Sequence, residues 1–383
     1  MHDVAIIGLG QTPVNEHWDR SLRELAAEAV HAAVDSAGDV LIDALYVANA
    51  YGGPISSQTH LGALIADYTG LAGVEACTIE AAEASGGAAL RTAYLAVASG
   101  AVKTALVLGV EKMTDSIAGD RIRGRNMSLD ADFEAAVGTS LTAQAGLLMR
   151  RYMHEYGLEL DAFEGFSINA HANGSRSPLA MFRNQIKPGR FATAPMVSDP
   201  VSLFDSAPDA DGAAAIILTR AERAVDLVPH PVRITGSSMA TDTLALHDRA
   251  DMLFLQAAQL STQHALQRAG VTTADVDLFE LHDAFTVLSA LSLEAAGFAE
   301  RGEGWKLAQD GVISLTGRLP ISTFGGLKSR GNPAGATGVY QAVEACLQLR
   351  GEAGVNQVEN ARTALIQSLG GLGSTAVTHV LQA

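Results

Sequence analysis

Lys103-Thr104-Ala105-Leu106 and Arg362-Thr363-Ala364-Leu365 each follow a helical stretch, and each opens an apolar run. Ala37-Gly38 and Ala269-Gly270 close two earlier helices at matching places. An order of elements that recurs at close to half the chain length predicts two similar units packed face to face. In the first unit, residues 4–10 (VAIIGLG) read as a buried strand. Residues 21–38 read as an amphipathic helix with Ser21 as N-cap, Glu24 at the capping-box position and a terminal glycine. A second strand (44–52), a helix (85–100) and a strand apolar enough to be buried on both faces (103–113) follow. The second unit begins near Pro231 with a strand (VRITGSSM), a helix ending at Gly270, a strand with a polar end (VDLFELHDAF), a glycine-led helix and paired strands around a glycine turn. Strand and helix in alternation imply an α/β fold with a mostly parallel sheet.

With 383 residues, 48% of them hydrophobic, the chain has core enough for two domains. A formal charge of -16 excludes the footprint of a nucleic-acid or polybasic membrane binder. Cys77 and Cys346 are the only cysteines, too few for a disulfide framework or a cysteine-built metal site, and both read as core residues of a protein in a reducing compartment. There is no apolar run of membrane-spanning length, and MHDVAIIGLG lacks the basic region of a leader, so the expected location is the cytoplasm. Residues 116–200 read differently from the rest. RIRGRNM and FRNQIKPGRFATAP concentrate Arg and Lys between Gly and Pro breaks, as expected of a surface excursion or of a lid that offers basic groups to a phosphate-bearing ligand.

Chemistry concentrates at TIEAAEASGGAAL, residues 78–90. A β-prone run, a break at Ser-Gly-Gly and an alanine-rich helix make an elbow, and Glu83 lies on it at a helix N-terminus, which favours negative charge. Elbows of this kind hold nucleophiles, but a carboxylate there also stabilises a helix start without doing any chemistry. By position in the repeat, the elbow at Glu83 answers to Asn332. GGLKSRGNPAG lacks the spacing of a phosphate-binding P-loop.

The duplicated layout, SGGAAL, DGAAA, HDAF and GGLKSRGNPAGATG together resemble the thiolase superfamily, and within it the sterol-carrier-protein-type and archaeal members. The resemblance covers essentially the whole chain. It implies a five-layered α-β-α-β-α sandwich of two halves, residues 1–230 with a loop domain inserted at about 116–200 and residues 231–383. It also implies an acyl-CoA substrate, no covalently bound cofactor, no metal, and a homodimer or homotetramer. In the family a cysteine on the elbow takes the acyl group, a histidine activates it, a second cysteine shuttles the proton, and an Asn or His helps form an oxyanion hole. The matching residues here are Glu83, Asn332, Ser368 and His282, and the first three depart from the pattern.

A carboxylate attack on a thioester gives a mixed anhydride that is hard to form, and without the histidine no base activates a nucleophile. The expected site is therefore an acid–base one. Glu83 serves as base, while His282 and the N–H groups of the glycine turns polarise a carbonyl and Asn332 donates a hydrogen bond. This suits retro-aldol cleavage of a β-hydroxyacyl-CoA. Cysteine-free relatives that act as aldolases are a known branch of the superfamily, and some work beside a small subunit with a zinc ribbon and an OB-fold. Two alternatives stay open: a non-catalytic subunit that binds acyl-CoA or a partner, and ordinary acyl transfer. Asp283, Tyr340 and Ser368 are further site candidates, with core packing the competing reading for Tyr340. Lys328 and Arg330 are candidates for contacting CoA phosphates, and Gly370 and Gly371 for lining the pocket.

Overall fold

Val4, Ala5, Ile6 and Ile7 are all buried, so the first strand has no solvent face and must be covered on both sides. The computed structural model describes residues 2–38 and 40–383. Its strands are β1 (Val4–Gln11), β2 (Ala44–Ala48), β3 (Glu75–Ile79), β4 (Thr104–Glu111), β5 (Met196–Ser198), β6 (Val201–Ser202), β7 (Gly212–Arg220), β8 (Val232–Thr241), β9 (Leu278–Glu280), β10 (Thr363–Gly370) and β11 (Thr375–Gln382). The helices of the first half are α1 (Leu22–Ala37), α2 (Leu61–Tyr68), α3 (Ser85–Ser99), α4 (Ala118–Arg125), α5 (Leu141–Tyr156), α6 (Glu164–Gly174) and α7 (Ala221–Ala224). Those of the second are α8 (Gln256–Ala269), α9 (Thr286–Ala295), α10 (Gly304–Gln309), α11 (Gly326–Ser329) and α12 (Thr337–Arg350).

The alternation of side chains along each strand sets the layers. Val4 and Ile6 face a central core shared with Ala105 and Val107 of β4, Ala364 and Ile366 of β10, and the helices α3 and α12. Ala5 and Ile7 face the other way, onto Leu25, Ala29 and Ala33 of α1. Beyond the second half, Leu365, Leu369 and Val380 meet Ala258 and Ala265 of α8 and Leu288 of α9. Outer helices, half-sheet, central helices, half-sheet and outer helices make the expected five layers.

The repeat survives down to single hydrogen bonds. The Asp43 carboxylate accepts from the backbone N–H groups of Lys103 and Thr104, and Asp277 accepts in the same way from Arg362 and Thr363. The two carboxylates thus hold β4 and β10 beside the strands that precede them.

Two expectations need correction. The sheet is mixed: β2 runs parallel to β3 and β4, and β9 runs parallel to β10, but all other neighbours are antiparallel. The last strand of each half returns beside its predecessor, β11 through a tight glycine turn and β7 through the long excursion after β4. The halves are also joined edge to edge, because Ala5 and Ile6 of β1 pair with Arg233 and Val232 of β8 to give one nine-stranded sheet, β3-β2-β4-β7-β1-β8-β11-β10-β9. Cys77 is a further correction. It lies exposed on β3, the edge strand, where only one neighbour covers it, whereas Cys346 is buried in α12 as expected.

Candidate active site

The elbow forms because the chain reverses between β3 and α3 within a few residues. Ala82 takes a left-handed conformation (φ 51°), and the Ser85 hydroxyl accepts from Ala81 N–H and donates to the Ala82 carbonyl. The glycines of the motif have a packing reason. A Cβ on Gly86 would stand 2.7 Å from the backbone nitrogen of Gly338, so α3 and α12 meet backbone to backbone at their first turns.

Glu83 points inward from this turn and is 1% exposed. It does not cap the helix, because its carboxylate is held by side chains from other elements. His282 Nε2 lies 3.0 Å from Oε2, and the Arg125 guanidinium lies 3.3 Å from Oε1. Burial works against its charge, but Arg125, then His282 and the Asn332 carboxamide, outweigh it and pull the carboxyl down to about 2. Glu83 is therefore an anion at neutral pH and a weak proton acceptor.

The structure brings Glu83, His282 and Asn332 together from three distant parts of the chain. His282 follows the short strand β9, whose end is fixed by Gln341 Nε2 donating to the carbonyls of Glu280 and Leu281. With Nε2 facing Glu83, the buried Nδ1 has no partner among the described residues. Asn332 is anchored by its backbone to Pro208 and Ala210, and its Oδ1 accepts from Ala334 N–H and the Thr337 hydroxyl. That leaves its NH2 group to face Glu83.

Four neighbours of the site were not among the candidates. Arg125, on α4 of the inserted segment, bridges Glu83 to Asp209, which also pairs with Arg121. The excursion thus does bring a basic group inward, but to a carboxylate of its own chain, and RIRGRNM was the signal for it. Glu111, at the end of β4, accepts from Asn49 Nδ2 and the N–H groups of Ala50, Tyr51 and Gly335, so it ties the turn after β2 to the turn after Asn332. Burial pushes its carboxyl up to about 7 in spite of these donors. Tyr51 is buried beside it with a hydroxyl that has no partner among the described residues. No motif marks Tyr51 or Glu111, because backbone turns decide where they point.

Other candidates lie elsewhere. Asp283 accepts from Leu327 N–H and the Ser322 hydroxyl and so holds the start of α11. Tyr340 donates to the Thr12 carbonyl and packs under Arg330, which is a core role. The Ser368 hydroxyl donates to Gln341 Oε1, one step behind His282. The expected phosphate contacts of Lys328 and Arg330 are not available to them. Lys328 donates to the Asp205 carbonyl, and Arg330 pairs with Glu344 at 2.6 Å, both inside the protein. Their turn is covered by Met181 and Phe182, whose N–H groups bond to the carbonyls of Arg330 and Ser329. Gly370 does adjoin the elbow, since a Cβ there would stand 2.7 Å from the Ala81 carbonyl oxygen, and Gly371 lies by Ser128.

With this geometry in hand, the likenesses to known proteins are specific. Residues 4–198 match the family model "Thiolase, N-terminal domain" and residues 238–383 match "Thiolase C-terminal domain-like". The chain is 40% identical over 382 residues to the acetyl-CoA acetyltransferase of Methanothermobacter thermautotrophicus, with 99% of each covered. It is 29% identical to the sterol carrier protein 2 of Bos taurus, covering 98% of this chain and 71% of that protein. Among solved structures, the Ltp2-ChsH2(DUF35) aldolase superposes with a TM-score of 0.85 at 24% identity, over 100% of this chain and 98% of that one.

Proposed function

The chain belongs to the thiolase superfamily, whose chemistry is on acyl-CoA, and we propose that it cleaves a carbon–carbon bond of a β-hydroxyacyl-CoA by acid–base catalysis, without an acyl-enzyme. The observation that carries this reading is the 3.0 Å contact between Glu83 and His282 on the elbow where the resemblance puts a nucleophile. An anionic Glu83 that accepts from Nε2–H directs the imidazole lone pair to Nδ1, which makes His282 the base and Glu83 its orienting partner. This revises the roles expected from the residues alone, in which Glu83 was the base. Nδ1 takes the β-hydroxyl proton as the bond breaks, and the Asn332 NH2 group bonds the thioester oxygen as negative charge develops on it.

The cysteines support this reading. Cys346 is buried with its thiol pushed up to about 12, and Cys77 lies on the edge strand, so neither offers a thiolate to the elbow. Arg183, Lys187 and Arg190 are exposed on the insert and have no ion-pair partner among the described residues, which suits them to the CoA phosphates in place of Lys328 and Arg330. The open edge at β3 suits pairing with a second copy. The aldolase neighbour's title names two components, which supports a small partner subunit as well.

The name of the 40% identical relative favours acyl transfer as a second reading. Incubating the purified protein, with and without co-expressed neighbours, with β-hydroxyacyl-CoA and β-ketoacyl-CoA esters separates the two by mass spectrometry. Cleavage of hydroxyacyl esters without consumption of free CoA is the expected result. Thiolysis of ketoacyl esters with a trapped acyl-enzyme refutes it.

A further inference from the structure

The turn after β2 brings Tyr51 to the edge of the site, where the proposed reaction has one task still unfilled. Its ring packs on Met113 and on Ala334, two residues past Asn332. Helix α4 closes over the same turn, because Gly124 rests against Ile55 so tightly that a Cβ would come within 2.6 Å of that side chain. Arg125, the next residue, is thereby set beside Tyr51 as well as Glu83. The phenol lies in the field of both, and its buried hydroxyl has the Ser128 hydroxyl nearby, which itself donates to the Arg125 carbonyl, but makes no hydrogen bond of good geometry among the described residues. A buried hydroxyl without a well-made hydrogen bond is destabilising, so a fold that keeps one beside Glu83 is holding a donor for something else.

Resting on the lyase reading above, we propose that Tyr51 is the general acid of the site and delivers the proton that the α-carbon takes up when the carbon–carbon bond breaks. The step balances. The β-hydroxyl O–H breaks and its proton goes to His282 Nδ1, while the electron pair of the Cα–Cβ bond passes to Cα as an enolate and Cβ becomes a ketone or aldehyde carbon. The Tyr51 O–H then breaks and a Cα–H bond forms, leaving a tyrosinate beside the Arg125 guanidinium. When the products leave, the imidazolium proton returns to the tyrosinate through the water that enters. The net change moves the hydroxyl proton to Cα, with no oxidant or reductant. The direction of transfer is sound, since a thioester enolate is a far stronger base than a phenolate even when burial and Glu83 hold the phenol well above its ordinary range.

Tyr51→Phe removes only the orphaned hydroxyl. The probe is β-hydroxy-β-phenylpropanoyl-CoA, whose cleavage releases benzaldehyde and acetyl-CoA, with a panel of other β-hydroxyacyl-CoA esters beside it. The expected result is a kcat lower by about 10²–10⁴-fold with KM within about threefold and an unchanged or raised thermal midpoint. The variant also loses the exchange of acetyl-CoA methyl protons with D2O that the wild type catalyses. A Tyr51→Phe protein with wild-type kcat overturns the role of Tyr51 and leaves the lyase reading standing. An unfolded variant overturns it too, because the hydroxyl would then be structural. Failure of the wild type to cleave any ester in the panel overturns both.

Discussion

The two elbows occupy equivalent places in the two halves and are built from similar parts. Each puts a left-handed alanine beside the start of a central helix, Ala82 (φ 51°) before α3 and Ala334 (φ 33°) before α12, and the two helices touch through Gly86 and Gly338. They differ in charge and in how that charge is met. Glu83 is ionised and is held by Arg125 and His282 from remote elements, whereas Asn332 is neutral and satisfies its Oδ1 locally, on Ala334 and Thr337. Two carboxylates at converging elbows would repel, so a neutral residue at the second elbow lets the first keep its charge. Near symmetry of the fold thus coexists with an asymmetric pair of side chains, Glu83 and Asn332.

Removing the charged side of this comparison has the largest effect. Glu83→Ala lowers turnover of a β-hydroxyacyl-CoA by about 10²–10⁴-fold while leaving acyl-CoA binding within about threefold, as read by steady-state kinetics and calorimetry. Unchanged turnover would make the two elbows equivalent and remove Glu83 from the chemistry. Arg125→Ala leaves that charge in place but takes away its counter-ion, at a cost of about 3–5 kcal/mol in urea denaturation near neutral pH. The sign with pH follows from a folded value below the ordinary one. The stability that Glu83 contributes is present above its ordinary value of 4.5 and is lost as pH falls toward about 2; in Arg125→Ala that loss begins at higher pH.

Asn332→Asp tests the neutral side. A second carboxylate raises the Glu83 value, so the acid limb of the pH–rate profile moves up, with about a tenfold loss of turnover near neutral pH. A profile that keeps its wild-type acid limb would show that Asn332 does not sense Glu83. Glu111→Gln, which loosens the tie between the two turns, has the smallest effect, about 1–2 kcal/mol. Here the sign is reversed. Burial raises the folded value to about 7, so the wild type loses stability as pH rises from 4.5 to 7, and the glutamine variant lacks that slope in thermal melts.

Much of this molecule is legible before it folds. Apolar periodicity, the Ser21–Glu24 cap and the paired Thr-Ala-Leu runs mark the elements and their duplication, since each is a short-range property of neighbouring residues. Glu83, His282 and Asn332 were visible because each sits in a motif that forms locally. Tertiary structure decided the rest. Lys328 and Arg330 turned inward because Met181 and Phe182, some 150 residues earlier, cover their turn. Arg125 entered the site because α4 docks on the turn after β2, and Tyr51 and Glu111 are placed by the backbone of that turn, whose N–H groups donate to Glu111. The proton roles proposed for Glu83 and His282 depend on burial and on charges brought from three segments, and no local pattern encodes a dielectric or a distance between residues so far apart in the chain.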